Sequence, residues 1–472
     1  MLNYFPQYFV NRAIALYFIA LVAVFALFTN NFMQLQFLPF GIAAVVGFFY
    51  FSNILTKKWN SCPEKKFKKK LFITALVIRV VWVIFSYFYY FTQTGTPFDM
   101  FGDAWGYHQC GTEIAAGLRE GNWGIFAVYL EIFGFSDVGF MSYMGVIYWL
   151  TGDSIIIARL LNALYSAFMC VLIYNLTRRN FGESTGRIAG ILSMLMPHFV
   201  YYCGLHLKEM VMVFLSVAFV ERADYLLRSK KYNFLNIALP ILLAGVLFTF
   251  RTILGATALL AFFSAVVFSS AKVINWKKRI LVGVWIIAVV GYFAGGRIAA
   301  EVEELWELGT IESQQENMEW RAQRMGDYSN EFARYAGVAV FASMIFTIPF
   351  PTIVNIELQT IQQRRNGDNF VKNIMSFFTI FGIFLLLYRR KWRDHVLILA
   401  FLTGYLAILA MSNFAHSERF HMPSLPFALI IASYGISQMD NEKKKYFNWW
   451  TMVIFVAIII WSWFKLAGRG IV

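Results

Sequence analysis

The feature that leaves this chain the fewest options is a series of apolar runs, each near the length of a membrane crossing, separated by clusters of Lys and Arg. Roughly 20 apolar residues cross the hydrocarbon core of a bilayer. Runs of that kind occupy 13–30, 35–55, 71–92, 155–177, 185–204, 209–227, 233–250, 252–271, 280–296, 370–388, 395–413, 422–438 and 447–464. The chain is 59% hydrophobic and 14% charged, whereas a soluble domain carries about 25% charged residues. Most of its surface must therefore stay out of water. The pattern predicts an all-α polytopic membrane protein with about 13 transmembrane helices.

The basic clusters give these runs a direction. The densest comprises Lys57, Lys58, Lys65, Lys66, Lys68, Lys69 and Lys70, and the positive-inside rule places it in the cytoplasm. Counting crossings from there puts Arg178 and Arg179, Arg228 to Lys231, Lys272 to Arg279, Arg389 to Arg393 and Lys443 to Lys445 on the same side. The net charge of +14 thus lies between spans rather than over one face. That is topology and not a nucleic-acid footprint. The cysteines at 62, 110, 170 and 203 have no CxxC or Cys/His metal spacing. The first run follows Arg12 without a small-residue cleavage site, and it reads as a retained span. The expected organisation is a hairpin and basic loop over 1–70 and a transmembrane core over 71–297 with an outer loop at 93–153. An outer Glu-rich loop over 298–369 and C-terminal helices over 370–472 complete it. Segments 138–151 and 336–356 fit no full span and are expected to lie in the outer interface.

The stretch 98–122 is polar, carries Asp99 and Asp103, and directly follows an apolar run. Tyr107, Cys110, Ile114 and Leu118 recur at helical spacing, with His108, Thr112 and Arg119 turned away. Asp103 stands where an N-cap would stand. Capping leaves one carboxylate oxygen for a cleft, so both roles stay open. A carboxylate pair at a membrane–water boundary serves as general base or binds a divalent cation. Other outer segments carry cations: Lys208 beside Glu209, Arg251 between two spans, Arg321 and Arg324 in the Glu-rich loop, and Arg419 with His421 after Glu418. Lipid headgroup contact is the plain alternative for Lys208 and Arg251. Four outer loops each offering a cation suit a phosphate or diphosphate. No HExxH-like spacing supports a zinc site.

Three motifs resemble the GT-C class of membrane glycosyltransferases, which includes the protein O-mannosyltransferases, the lipid A aminoarabinose transferase and the RgtA/B/C/D-like group. The first is Phe101-Gly-Asp-Ala-Trp-Gly-Tyr-His108 with the following Glu113 to Asn122, similar to the class's first outer loop and its catalytic acid. The second joins Phe140–Gly152 to Ala158–Leu164 and Leu176–Gly182, similar to an interfacial helix and a span ending in Arg-Arg-x-Phe-Gly. The third is Glu418-Arg-Phe-His-Met-Pro423, similar to the class's Arg-Tyr-Arg-Leu-Pro. In this chain Ala104 follows Asp103 where many relatives carry a second acid, and Asp137-Val-Gly stands where they carry Pro-Pro.

The resemblance implies interfacial helices in the first outer loop and inverting transfer of a sugar from a polyprenyl-phosphate donor. The acceptor would be a glycan, lipid or protein on the outer face of a bacterial inner membrane, with membrane lipids as the remaining partner and no nucleic acid. Asp103 would be the catalytic base. Lys208, Arg251 and Arg419 would bind the donor phosphate. Asp99, His108, Glu209, His421 and Arg324 would contact the acceptor or support the site. No cofactor is required by the motifs, and a divalent cation, Mg or Mn, is the one candidate. Two alternatives share the topology: a polysaccharide polymerase or ligase that uses a lipid-diphosphate donor, with Arg321 and Arg324 essential, and a transporter or flippase of lipid-linked glycans.

Overall fold

A computed structural model describes residues 2–98, 102–229, 233–277, 279–280, 283, 343–356, 359–411 and 417–471. The described residues form helices with short connections. In chain order these are α1 (Gln7–Leu27), α2 (Leu38–Lys58), α3 (Glu64–Thr94), α4 (Asp103–Arg119), α5 (Ile125–Phe133), α6 (Phe135–Thr151), α7 (Ile155–Phe181), α8 (Glu183–Leu195), α9 (Pro197–Tyr201) and α10 (Glu209–Arg228). There follow α11 (Phe234–Phe250), α12 (Thr252–Phe268), α13 (Thr360–Arg364), α14 (Asn366–Tyr388), α15 (Val396–Met411), α16 (Glu418–His421), α17 (Leu425–Ser437) and α18 (Lys444–Ala467).

The third helix shows how the sequence answers to lipid. Phe67, Leu71, Ala75, Arg79, Val83, Ser86 and Tyr90 form its buried face. Ile73, Val77, Val81, Ile84, Phe88 and Phe91 recur at helical spacing on the other face and are exposed. A helix that is apolar on its outer face as well belongs in hydrocarbon. Seven described helices are long and apolar enough to cross a membrane. The protein is therefore an integral membrane protein of the all-helical kind. The expected count of about 13 is not reproduced: α11, α12 and α15 are apolar but shorter, and the run 280–296 lies almost wholly outside the described residues. The helix α10 matches the run 209–227 but buries Glu209, Glu221 and Asp224.

The run 185–204 departs most. It is α8, then α9, then a 3-10 turn at Tyr202–Gly204. The cause is Pro197, which has no N–H to offer the Ser193 carbonyl one turn earlier. Arg79, fully buried, donates to that carbonyl at 3.2 Å, to the Met194 carbonyl at 3.1 Å and to Ser166 Oγ at 2.6 Å. A buried cation without a carboxylate is thus satisfied by backbone that the break releases.

The basic clusters meet at one end of these helices. Arg178 pairs with Glu64 at 2.5 Å, Arg179 with Asp224 at 2.6 Å, and Arg228 donates to the Asp394 carbonyl at 2.6 Å. Twenty residues of α10 separate this end from Lys208 and Glu209, a rise of about 30 Å. The basic end and the polar stretch therefore lie on opposite faces.

Candidate active site

Six segments deliver side chains to one cavity at the end away from the basic clusters. Its volume is about 940 Å³, and its lining includes Asp103, Tyr107, Glu113, Asp137, Lys208, Arg251 and Arg419. Each arrives for a local reason. Asp103 is the first residue of α4, after Gly102 in a conformation (φ +124°) that glycine alone adopts without strain. Gly102 holds the N-cap position and Asp103 makes no capping bond, which corrects the expected N-cap. The buried face of α4 presents Tyr107, Ile114 and Leu118 to α6, the helix found where an interfacial segment was expected. Lys208 and Glu209 start α10. Arg251 is the single extended residue between α11 and α12. Arg419 sits in the one-turn helix α16.

Arg419 is the centre of the charge network. Its Nη1 donates to Asp103 at 2.5 Å, and its Nε donates to Glu209. Glu209 is 1% exposed at its side chain and Asp103 56%. One guanidinium thus bridges a buried acid and an open one, which keeps one edge of Asp103 turned to the cavity. Lys208 pairs with Asp137 at the start of α6, donates to the Phe250 carbonyl at 3.4 Å and lies 5.9 Å from the centre of the Tyr107 ring. Burial pushes the Lys208 ammonium below its ordinary pKa, and Asp137 opposes that shift. Arg251 lies over the Phe420 ring at 4.3 Å. The far wall is apolar: Ile125, Val128, Ile132 and Phe133 from α5.

Four expected residues, Asp103, Lys208, Arg251 and Arg419, thus meet in one cavity, and Glu209 stands directly behind it. His108 does not line it. It shares the Tyr148 hydroxyl with His206, at 2.8 and 3.2 Å, behind the cavity wall. Burial lowers the pKa of both histidines, His206 well below the usual value, with the Arg159 cation adding to it there. His421 is buried against Lys372 and Ser424 around a separate small void. Asp99, Arg321 and Arg324 lie outside the described residues. Sequence reasoning passed over Asp137 as a site residue, although its carboxylate in an outer segment of an apolar chain was a signal. It also passed over Arg365, one of two adjacent arginines on the side where basic residues are rare.

Among the described residues no three of His, Cys, Asp and Glu are placed to hold an ion. Asp103 and Glu209 share Arg419, and Asp137 is taken by Lys208.

Residues 366–468 match the model of the Alg9-like mannosyltransferase family. That family is a GT-C-type family of membrane glycosyltransferases. The match spans about a fifth of the chain and takes in Arg419 and Phe420 of the cavity. It makes the chain similar to membrane glycosyltransferases that use lipid-linked sugars. No curated protein and no solved structure matches.

Proposed function

We propose that this protein transfers a sugar from a polyprenyl-phosphate donor to a glycan acceptor, with inversion, in the cavity around Asp103. The observation that carries this reading is the convergence of Asp103 with Lys208, Arg251 and Arg419 from segments more than 300 residues apart in sequence. Asp103 accepts the acceptor hydroxyl proton as that oxygen bonds to the anomeric carbon. The bond from that carbon to the phosphate oxygen breaks, and the polyprenyl phosphate leaves with the electron pair. Lys208, Arg251 and Arg419 counter the charge growing on the phosphate. Lys208 must first exchange Asp137 for the donor. The apolar wall of α5 suits the first isoprene units of the lipid. The site opens on the face opposite the basic clusters, which by the positive-inside rule is the outer face.

The test is transfer of labelled mannose from polyprenyl-phosphate mannose by the purified full-length protein, with its source membranes as acceptor. Wild type transfers, and Asp103→Asn loses at least 100-fold. Full activity in that variant removes Asp103 from the chemistry. A lipid-diphosphate donor used in preference favours the polymerase alternative.

A further inference from the structure

Arg365 is 1% exposed, yet it does not line the cavity around Asp103. It immediately precedes α14. Its Nη1 donates to Glu418 Oε1 at 2.9 Å and to the Tyr202 hydroxyl at 2.8 Å, and its guanidinium lies over the Tyr201 and Tyr202 rings at 4.9 and 4.4 Å. Asp368 lies 3.7 Å from its Nε. Glu418 is buried as well, and it adjoins Arg419 in the chain. The helix α16 that carries both is only four residues long, too short to be rigid by its own hydrogen bonds. Something else must hold Arg419 in register with Glu209 on α10 and Asp103 on α4. Besides Arg419 itself, α16 is tied to the bundle interior by the ion pair of Glu418 with Arg365 and by the Tyr405 hydroxyl, which donates to the Phe420 carbonyl at 2.8 Å.

We propose that Arg365 and Glu418 are positioning residues: their buried ion pair clamps α16 so that Arg419 stays between Glu209 and Asp103, and transfer depends on both although neither touches a substrate. The proposal rests on the reading of the cavity given above. Removing Arg365 leaves a buried carboxylate next to Arg419, without its partner. That carboxylate competes with Asp103 for the Arg419 guanidinium. Arg419 then leaves its place between Glu209 and Asp103, and the cation is no longer held where the leaving phosphate must meet it.

The experiment uses the full-length protein in lipid nanodiscs and the mannose transfer assay. Arg365→Met is expected to lower kcat at least 10-fold and to change KM for the donor less than twofold. Arg365→Lys, which keeps the charge, recovers part of kcat. Arg365→Met combined with Glu418→Gln removes the competing carboxylate and recovers part of the kcat lost in the single variant. A variant that merely folds less well shows wild-type kcat once rates are normalised to folded protein, and that result overturns the proposal. So does wild-type kcat in Arg365→Met. A wild-type protein that transfers no sugar from the donor overturns instead the reading on which the proposal stands.

Discussion

Replacing Arg419 by Met separates two effects that the wild type combines in one side chain. On one side the guanidinium meets Glu209, whose carboxylate is 1% exposed and whose Oε2 is buried without a hydrogen-bond partner. Taking away the cation strands that buried acid, at a cost of about 3–5 kcal/mol in stability. On the other side it meets Asp103, 56% exposed, where loss of the pair costs about 0–1 kcal/mol. Stability is thus governed by Glu209 and transfer by Asp103. The combined Arg419→Met and Glu209→Met variant removes the buried acid together with its cation, so most of the stability should return. Activity should not, because a cation at the leaving phosphate is worth about 100- to 1000-fold in rate. Unfolding in detergent measures the first quantity, and single-turnover transfer with donor in excess measures the second. The reasoning is refuted if the single variant melts like wild type, or if the double variant regains activity together with stability.

Asp137→Asn removes the partner that opposes the lowering of the Lys208 pKa. The ammonium then loses its proton at lower pH, and the alkaline limb of the rate profile should move to lower pH; an unmoved limb would show that Lys208 does not need its charge. Burial lowers the folded pKa values of His206 and His108 below the unfolded one, His206 the more strongly. The unfolded chain binds more protons below about pH 6.5, and stability must fall as pH falls through that range, by at most about 2 kcal/mol per histidine at about pH 5. Melting of His206→Gln across that range should be flatter than wild type.

The membrane character and the two-ended layout were legible because lipid and charge act on composition over whole segments. The basic clusters at Lys57 to Lys70, Arg178 and Arg179, and Arg389 to Arg393 need no tertiary detail to be read. Asp103, Lys208, Arg251 and Arg419 were legible as outliers: charges that an apolar chain keeps at the edges of its spans. What escaped was pairing. Nothing in the spacing of Lys208 and Asp137, or of Arg365 and Glu418, says that they touch, because side-chain contacts between distant segments are fixed by packing. The break in the run 185–204 escaped for a related reason. Pro197 was visible, but the acceptor role of the Ser193 carbonyl depends on Arg79, more than 100 residues earlier. His108 sits between the α4 and α6 faces rather than turned away, because the Tyr148 hydroxyl offers it a partner there.

The elbow at Arg251 has a consequence for the lipid around it. The helices on either side of it, α11 and α12, have 17 residues each, and α15, packed against α12, has 16. At 1.5 Å per residue they span about 25 Å, against a hydrocarbon core of about 30 Å. Leu235, Leu242, Phe263 and Phe268 point outward from them, so acyl chains must wet this flank, and a bilayer that does so thins locally. The headgroup layer dips toward the elbow. A carrier lipid drifting along the membrane would ride down that slope with its phosphate lowered to the depth of Arg251, and transfer should slow in bilayers too thick to dimple.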